Sequence, residues 1–573
     1  MAGGMLPFVS KLNLRRRHPK LEVETLAALA GTLFAAFFLV LTALNAGPLW
    51  RDEVNTANLA QMPVHEIWHN LNFESFPPLW PLLLRAGSLI GLGDSDASIR
   101  VLGLYVGLFV LAAFWLSARW LGCRAPSMSL GLLAWLPAFL FGVGCNRAYG
   151  LASGLLLLSF GTIWRLVESP TRGRMFQAGL TCLLFAQCVY YDVIFLAAML
   201  AGGALVTVRR RQWKTLGALT AVGAVSAGSL AVYWRVIQMG GVYASIALWP
   251  HFNRSLLWLK LKEAVGRNSS AEAGVLGHEI WLWVGLLLVG LGVALARQGT
   301  GAVSATARGT PPNARQQQAD RALFCATSLL LGVAGYLAFL LWLHFLTQKW
   351  YYVEMLCLGG ISLDAFLGGG GTAGRFFGGF RIVFLLGMLA WGAGPAWAEA
   401  HTRRSNVDLI AAVLNQQATA EDFIVVDSAW EGITFNRYYH GAARWATVPP
   451  LASHWVHRND LMLEKMREPE PMLPVLQAIT NTLRAGHDVW LVGEVYAPRP
   501  YPPAPPAGQW AKSYLPYVFY WDAQLAATLT DHAVAGKILE IPAGQRVFRL
   551  EDVPFMRYSG YKSGGPTNGP PPL

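Results

Sequence analysis

Apolar residues in this chain of 573 residues run in long stretches, separated by short polar gaps rich in arginine. A helix crossing a bilayer needs about 20 predominantly apolar residues. The pattern predicts eleven such spans, at 24–46, 98–118, 126–144, 150–168, 175–190, 192–208, 215–237, 280–296, 322–346, 353–368 and 382–398. The stretch 77–93 is also apolar, but it is short and broken by Pro81, Arg85 and Gly87. It is predicted as an interfacial helix on the outer surface, because counting it as a span would invert every later loop. Past residue 399 the pattern changes to that of a water-exposed domain. Phe423–Val426, Val489–Val492 and 547–550 read as short strands, and 405–418 and 471–485 have helical periodicity. Alternating helices and strands predict a small α/β layer domain.

Charge supports this division. Only 14% of residues are charged, against about 25% in soluble proteins, too few to cover several soluble domains. The same composition excludes disorder, collagen-like repeats and a disulfide scaffold. With the N-terminus in the cytoplasm, the basic residues collect in the even gaps, with the longer outer loop 238–279 as the exception: Arg119 and Arg124; Arg172 and Arg174; Arg209, Arg210, Arg211 and Lys214; Arg297, Arg308, Arg315 and Arg321; Arg375 and Arg381. This asymmetry is the positive-inside pattern. It assigns the net charge of +12 to membrane topology and not to nucleic acid. The expected organisation is a basic cytoplasmic segment 1–23, a membrane domain 24–398 with an outer loop 47–97, an extracytoplasmic α/β domain 399–560, and a disordered tail 561–573. The run 24–46 is too long for a signal-peptide core and reads as a retained helix. Residues 297–321 read as a flexible cytoplasmic linker and 497–506 as a Pro-rich loop. The six cysteines fall in or beside apolar segments with no metal-site spacing and read as buried free thiols.

Candidate chemistry concentrates in the first outer loop. Asp52 and Glu53 follow the first span directly, where they can cap a helix or place a general base at the membrane surface. Glu74 precedes Phe76-Pro77-Pro78-Leu79, whose double proline fixes the backbone where the chain re-enters the interface. Arg147 and Tyr149 stand at the outer end of the third span, and Lys349 and Tyr351 at that of the ninth.

The order of these motifs resembles that of the GT-C glycosyltransferase superfamily, in particular bacterial relatives of protein O-mannosyltransferases and of lipid A aminoarabinose and galacturonic acid transferases. The resemblance covers about 24–400. It implies an inverting transfer of a sugar from a polyprenyl-phosphate donor to a lipid, protein or polysaccharide acceptor at the outer face of a bacterial inner membrane. By position, Asp52 would be the catalytic base, and Glu53 and Glu74 second acids. Arg147 and Lys349 would neutralise the donor phosphate, with Tyr149 and Tyr351 lining its pocket. No residue is assigned to a metal, although a divalent ion stays open as cofactor. One departure stands out: relatives carry His or Lys just before the double proline, where this chain has Phe76.

Two other readings compete. A transporter or flippase for a lipid-linked glycan would share the apolar groove and headgroup contacts without needing a base. His65-Glu66-Ile67-Trp68-His69 matches the H-E-x-x-H pattern of zinc proteases, but its polar flanks and the lack of a downstream third ligand disfavour it. In the outer domain, Asp427–Gly432 (residues 427–432) follows a strand, where ligands often bind in α/β sheets; a structural turn is the simpler expectation.

Overall fold

The computed structural model describes residues 19–93, 95–246, 253–267, 278–299, 312–344, 347–368, 371–495, 500, 502–505, 514–541 and 544–563. Among them, eight helices are long and apolar enough to cross a membrane: Val23–Asn45, Asp96–Trp120, Ala148–Glu168, Asp192–Arg209, Trp213–Tyr243, Glu279–Ala296, Gln316–Leu343 and Phe377–Ala400. The chain is a polytopic helical membrane protein with a C-terminal sheet domain.

The other three expected spans are helical but depart from the prediction. Stretch 126–144 breaks into Ser127–Leu133 and Pro137–Gly144, bent by 96°, because Pro137 can open a helix but cannot continue one. The buried carboxylate of Asp364 accepts from Met128 N at 2.8 Å and from Ser129 N at 3.1 Å, satisfying donors at the start of the first piece. Arg172–Ala186 and Val353–Leu367 have 15 residues each, about 22 Å of helix. Every residue of Val353–Leu367 is buried, so neighbouring helices and not lipid surround it.

One of two further segments differs from expectation, the linker 297–321. The stretch 77–93 forms a helix of ten residues, Leu79–Ser88, too short to span, and Arg85 Nη1 ties it to Met62 O at 2.6 Å. In the linker 297–321, helix Glu279–Gly299 runs into the start and helix Pro312–Leu343 begins well before residue 322. The Gln-rich turn there favours helix; 300–311 lie outside the described residues. So do 1–18, half of 497–506, and the tail from 564.

The C-terminal domain, expected on the outer side and called the outer domain after that expectation, is a five-stranded sheet of order β2-β1-β3-β5-β4, with β1 Phe423–Val426, β2 Arg444–Thr447, β3 Val489–Val492, β4 Ala533–Ile538 and β5 Phe555–Tyr561. β1 lies parallel to β2 and β3, whereas β5 runs antiparallel to β3 and β4. β1 and β3 are wholly buried, as a parallel centre covered on both faces requires. Val407–Gln417 and Gly432–Tyr438 cover one face, Leu473–Arg484 and Leu515–His532 the other. The expected last strand at 547–550 is instead a bend leading into the short turn Arg549–Glu551, and β5 is the last strand. That turn buries the Glu551 carboxylate against Arg51.

This domain docks onto the first outer loop. Arg404 N donates to Ala46 O at 2.7 Å, and Leu49 N to the Tyr438 hydroxyl at 2.8 Å. Asp96 accepts from Arg437 Nη2 at 2.6 Å and from Tyr438 OH at 2.5 Å. Arg437→Ala removes the charge-assisted bonds to Asp96, each worth about 1.5–3 kcal/mol. The variant is expected to unfold at lower temperature in detergent and to expose the junction near residue 400 to protease, as a melting curve and a timed digest would show.

Candidate active site

Asp52 occupies the second position of the helix Arg51–Gln61, whose first turn carries Arg51, Asp52 and Glu53 in succession. Successive residues of an α-helix are turned by about 100°, so the three charges leave the axis in three directions. Glu53 is wholly buried. Its Oε1 accepts from Arg100 Nη1 at 2.5 Å and from Asn146 N at 2.7 Å, while Oε2 accepts from Trp50 N at 3.3 Å. Both oxygens are therefore engaged in pinning the helix to the membrane domain.

Asp52 retains access, with 28% of its side chain exposed. Its Oδ1 lies 3.3 Å from His457 Nε2, and its backbone carbonyl accepts from Arg147 Nη1 at 2.9 Å. Burial would raise the carboxyl, but the hydrogen bond with His457 and the charges of Arg147 and Arg51 prevail and hold it well below the usual carboxylate range. It is ionised at any physiological pH.

Glu74 and Arg147 form the second unit. The Glu74 carboxylate accepts from Thr56 Oγ1 at 2.6 Å, Asn55 Nδ2 at 3.2 Å and Ser75 N at 2.9 Å, and it pairs with Arg147 at 2.9 Å. Arg147 lies 4.4 Å above the Phe76 ring, and its Nε is buried without a hydrogen-bond partner. Phe76 thus forms an apolar floor for the guanidinium, a cation–π contact worth about 1–2 kcal/mol when desolvated. Tyr149 packs on Phe76 at 5.1 Å and on Tyr351 at 5.5 Å. Burial, then the Asp52 charge, push the Tyr351 phenol up to about 12, so it remains a protonated donor. Asp52, Glu74, Arg147, Tyr149 and Tyr351 are one cluster.

Lys349 is on the same side of the protein, since Trp350 beside it meets Trp50 at 5.5 Å, but its charge is committed elsewhere. Its ammonium donates to Glu399 Oε2 at 3.0 Å, and Glu399 Oε1 accepts from Arg404 at 2.7 Å. Burial lowers the Lys349 pKa although Glu399 opposes it. Helix Arg254–Val265 packs on the turn Lys349–Tyr352; Trp249 and His251 lie outside the described residues, and the expected loop 238–279 begins later than expected, since helix Trp234–Ile246 runs through its start.

The outer domain supplies groups that the sequence reading did not place here. Arg51 bridges Glu431 at 2.9 Å and Glu551 at 3.2 Å. Burial raises both carboxyls, and their mutual repulsion raises Glu551 further, while Arg51 opposes the shift. Asp427 is raised by burial and then by Asp522, Glu431 and Glu494. Asp427 and Glu431 follow β1, where the chain leaves for β2 before returning to β3. That strand-order reversal is the signal that could have marked 427–431 as more than a turn.

The H-E-x-x-H residues lie apart on helix Val64–Asn70, with the His65 and Glu66 side chains 75% and 50% exposed. Among the described residues no three His, Cys, Asp or Glu side chains converge as a metal would require, so no chemical step is assigned to a metal.

No protein-family model and no curated protein matches this chain. Several solved structures are similar in fold. ArnT from Cupriavidus metallidurans bound to undecaprenyl phosphate is 15% identical, with 80% of this chain and 92% of that one covered at a TM-score of 0.36. The Archaeoglobus fulgidus oligosaccharyltransferase in complex with zinc and sulfate is 12% identical, with 81% and 68% covered at 0.45. The mycobacterial arabinofuranosyltransferase AftD is 16% identical, with 94% and 40% covered at 0.39.

The different surroundings of the adjacent acids give opposite expectations. Glu53→Gln weakens a buried ion pair, a class of change costing about 3–5 kcal/mol, and should lower the unfolding midpoint sharply. Asp52→Asn, partly exposed, should leave it nearly unchanged; thermal unfolding of both variants in one detergent compares them directly.

Proposed function

We propose that this protein is an inverting glycosyltransferase that moves a sugar from a polyprenyl-phosphate donor to a cell-envelope acceptor at the outer face of a bacterial inner membrane. The observation that carries this reading is Asp52: an ionised, partly open carboxylate at the end of an apolar bundle, beside an arginine with an unused donor.

In the reaction, the acceptor oxygen forms a bond to the anomeric carbon from the face opposite the phosphate. The bond from that carbon to the phosphate oxygen breaks, and polyprenyl phosphate leaves with both electrons. Asp52 takes the proton of the acceptor hydroxyl. A carboxylate of such low basicity cannot deprotonate a free alcohol, so the proton moves late, once the new bond has made the hydroxyl acidic. Arg147 and the phenol of Tyr351 supply donors to the phosphate as its charge grows. Glu74 holds Arg147 in place and Glu53 holds the helix. The Lys349–Glu399–Arg404 group supports the same wall, with Lys349 reaching the phosphate only if its ion pair opens.

The test uses purified protein in nanodiscs with undecaprenyl phosphate carrying radiolabelled mannose, glucose, galacturonic acid or aminoarabinose, and membrane extract as acceptor source. Asp52→Asn is expected to slow transfer by at least ~100-fold while binding undecaprenyl phosphate as tightly as the parent. Arg147→Met is expected to weaken that binding about tenfold or more. Full transfer by Asp52→Asn would sink the proposal and favour a carrier, which needs no base.

A further inference from the structure

Resting on the reading of Asp52 as the base, we propose that His457, delivered by the outer domain, is a positioning residue that fixes the Asp52 carboxylate and sets its basicity. Its imidazole is 405 positions from Asp52 in sequence, yet Nε2 lies 3.3 Å from Oδ1. The segment carrying it is fastened to the Asp52 helix at two further points. His457 N donates to Asn55 Oδ1 at 2.8 Å, and Asn58 Nδ2 donates to Trp455 O at 2.8 Å. Asn55 and Asn58 follow Asp52 by about one and two turns, so the imidazole and the carboxylate are held to a common frame. Trp430 closes on the imidazole edge-on at 5.8 Å.

With Oδ1 occupied by the imidazole, Oδ2 is left to receive the acceptor proton. The Nδ1 atom of His457 is buried without a partner. A lone pair costs less in that position than an unmet N–H, which favours the neutral tautomer with its proton on Nε2. Adding a second proton places a positive charge against Asp52 and weakens it as a base. The charged groups facing this pair are Arg51 and Arg147 from the membrane side, and Glu431 and Glu551 from the outer domain; Arg458 and Asp460 beside His457 pair with each other. Glu431 and Glu551 are themselves raised by burial, so the part of the histidine in any acid limb is read as the difference between wild type and His457→Gln. A proton added to the imidazole should therefore weaken the base, although Asp52 itself stays ionised.

The experiment measures kcat and KM between about pH 5 and pH 9, using whichever radiolabelled undecaprenyl-phosphate sugar supports turnover. Wild type should lose kcat toward low pH. His457→Gln, which keeps a neutral donor, should stay within about tenfold of wild type at high pH and lose the acid limb. His457→Ala should lose about 100-fold in kcat, with donor KM little changed. An acid limb preserved in His457→Gln, equal loss in Gln and Ala, or wild-type kcat in Ala would each overturn the assignment. Asp52→Asn separates the two levels: turnover there defeats the base itself, whereas an inactive Asp52→Asn beside indifferent His457 variants defeats only the histidine. Should the His457 variants fail to fold, nitrogen NMR of histidine-labelled wild type and Asp52→Asn decides. The nitrogen signals of one imidazole should move once the carboxylate is gone, and the absence of any such change overturns the proposal.

Discussion

The site depends on the first turn of one short helix, where three successive charged residues must each find a partner away from bulk water. A buried charge is tolerated only when paired and hydrogen-bonded, and the helical twist prevents Arg51, Asp52 and Glu53 from sharing one. Glu53 therefore turns into the membrane domain toward Arg100 and Asn146. Arg51 turns outward to Glu431 and Glu551. Asp52, between them, faces the junction. Two strong anchors on opposite sides of the helix hold the middle residue in place without using it up. This preorganisation is what a base at a fixed distance from its substrate needs.

The junction also explains why the outer domain cannot be treated as an appendage. Glu431, Glu551 and His457 come from the turn after β1, the bend before β5 and a loop following β2, and all three meet residues of a single helix in the first outer loop. Removing the domain would leave Arg51 without counter-ions and Asp52 without His457. Burial raises Glu431 and Glu551 so that they oppose their own ionisation. The Arg51 charge then serves two reluctant carboxyls, which limits the negative potential that a phosphate approaching Arg147 would otherwise meet.

The membrane part was legible in the sequence because twenty-residue apolar runs have one solution in lipid. It was less legible where protein replaces lipid: Val353–Leu367 is short because it is wrapped by other helices, and the broken stretch ending at Gly144 relies on a buried carboxylate, Asp364, for the orphan donors at the start of its first piece. The motif order located Asp52, Glu74, Arg147, Tyr149 and Tyr351 together, since residues at outer span ends are brought to one depth. Sequence could not assign their duties. Asp52 and Glu53 are adjacent acids that differ only in what surrounds them, and Lys349 resembled a phosphate ligand until Glu399, from the last span, took its charge. The outer-domain groups were invisible for a simpler reason. Hydrophobic periodicity predicts layers and strands, but not which loop of a sheet domain will be turned toward the membrane.

Phe76 shows how one aromatic ring sets the electrostatics of a whole site. A lysine there would place a second positive charge roughly where the ring now lies, about 4 Å from Arg147. At an effective dielectric constant near 20, two like charges at that distance repel by about 4 kcal/mol. Glu74 is already engaged by Arg147, Thr56 and Asn55 and could not neutralise both. The aromatic ring instead supports a single guanidinium and excludes water from beneath it, so each hydrogen bond Arg147 makes is formed in a drier medium. A phosphate in this pocket would be met by one strong cation and by protonated phenols, and not by a pair of cations. That arrangement favours directional hydrogen bonding over bulk charge, and it places the burden of donor recognition on the geometry of Arg147 above Phe76.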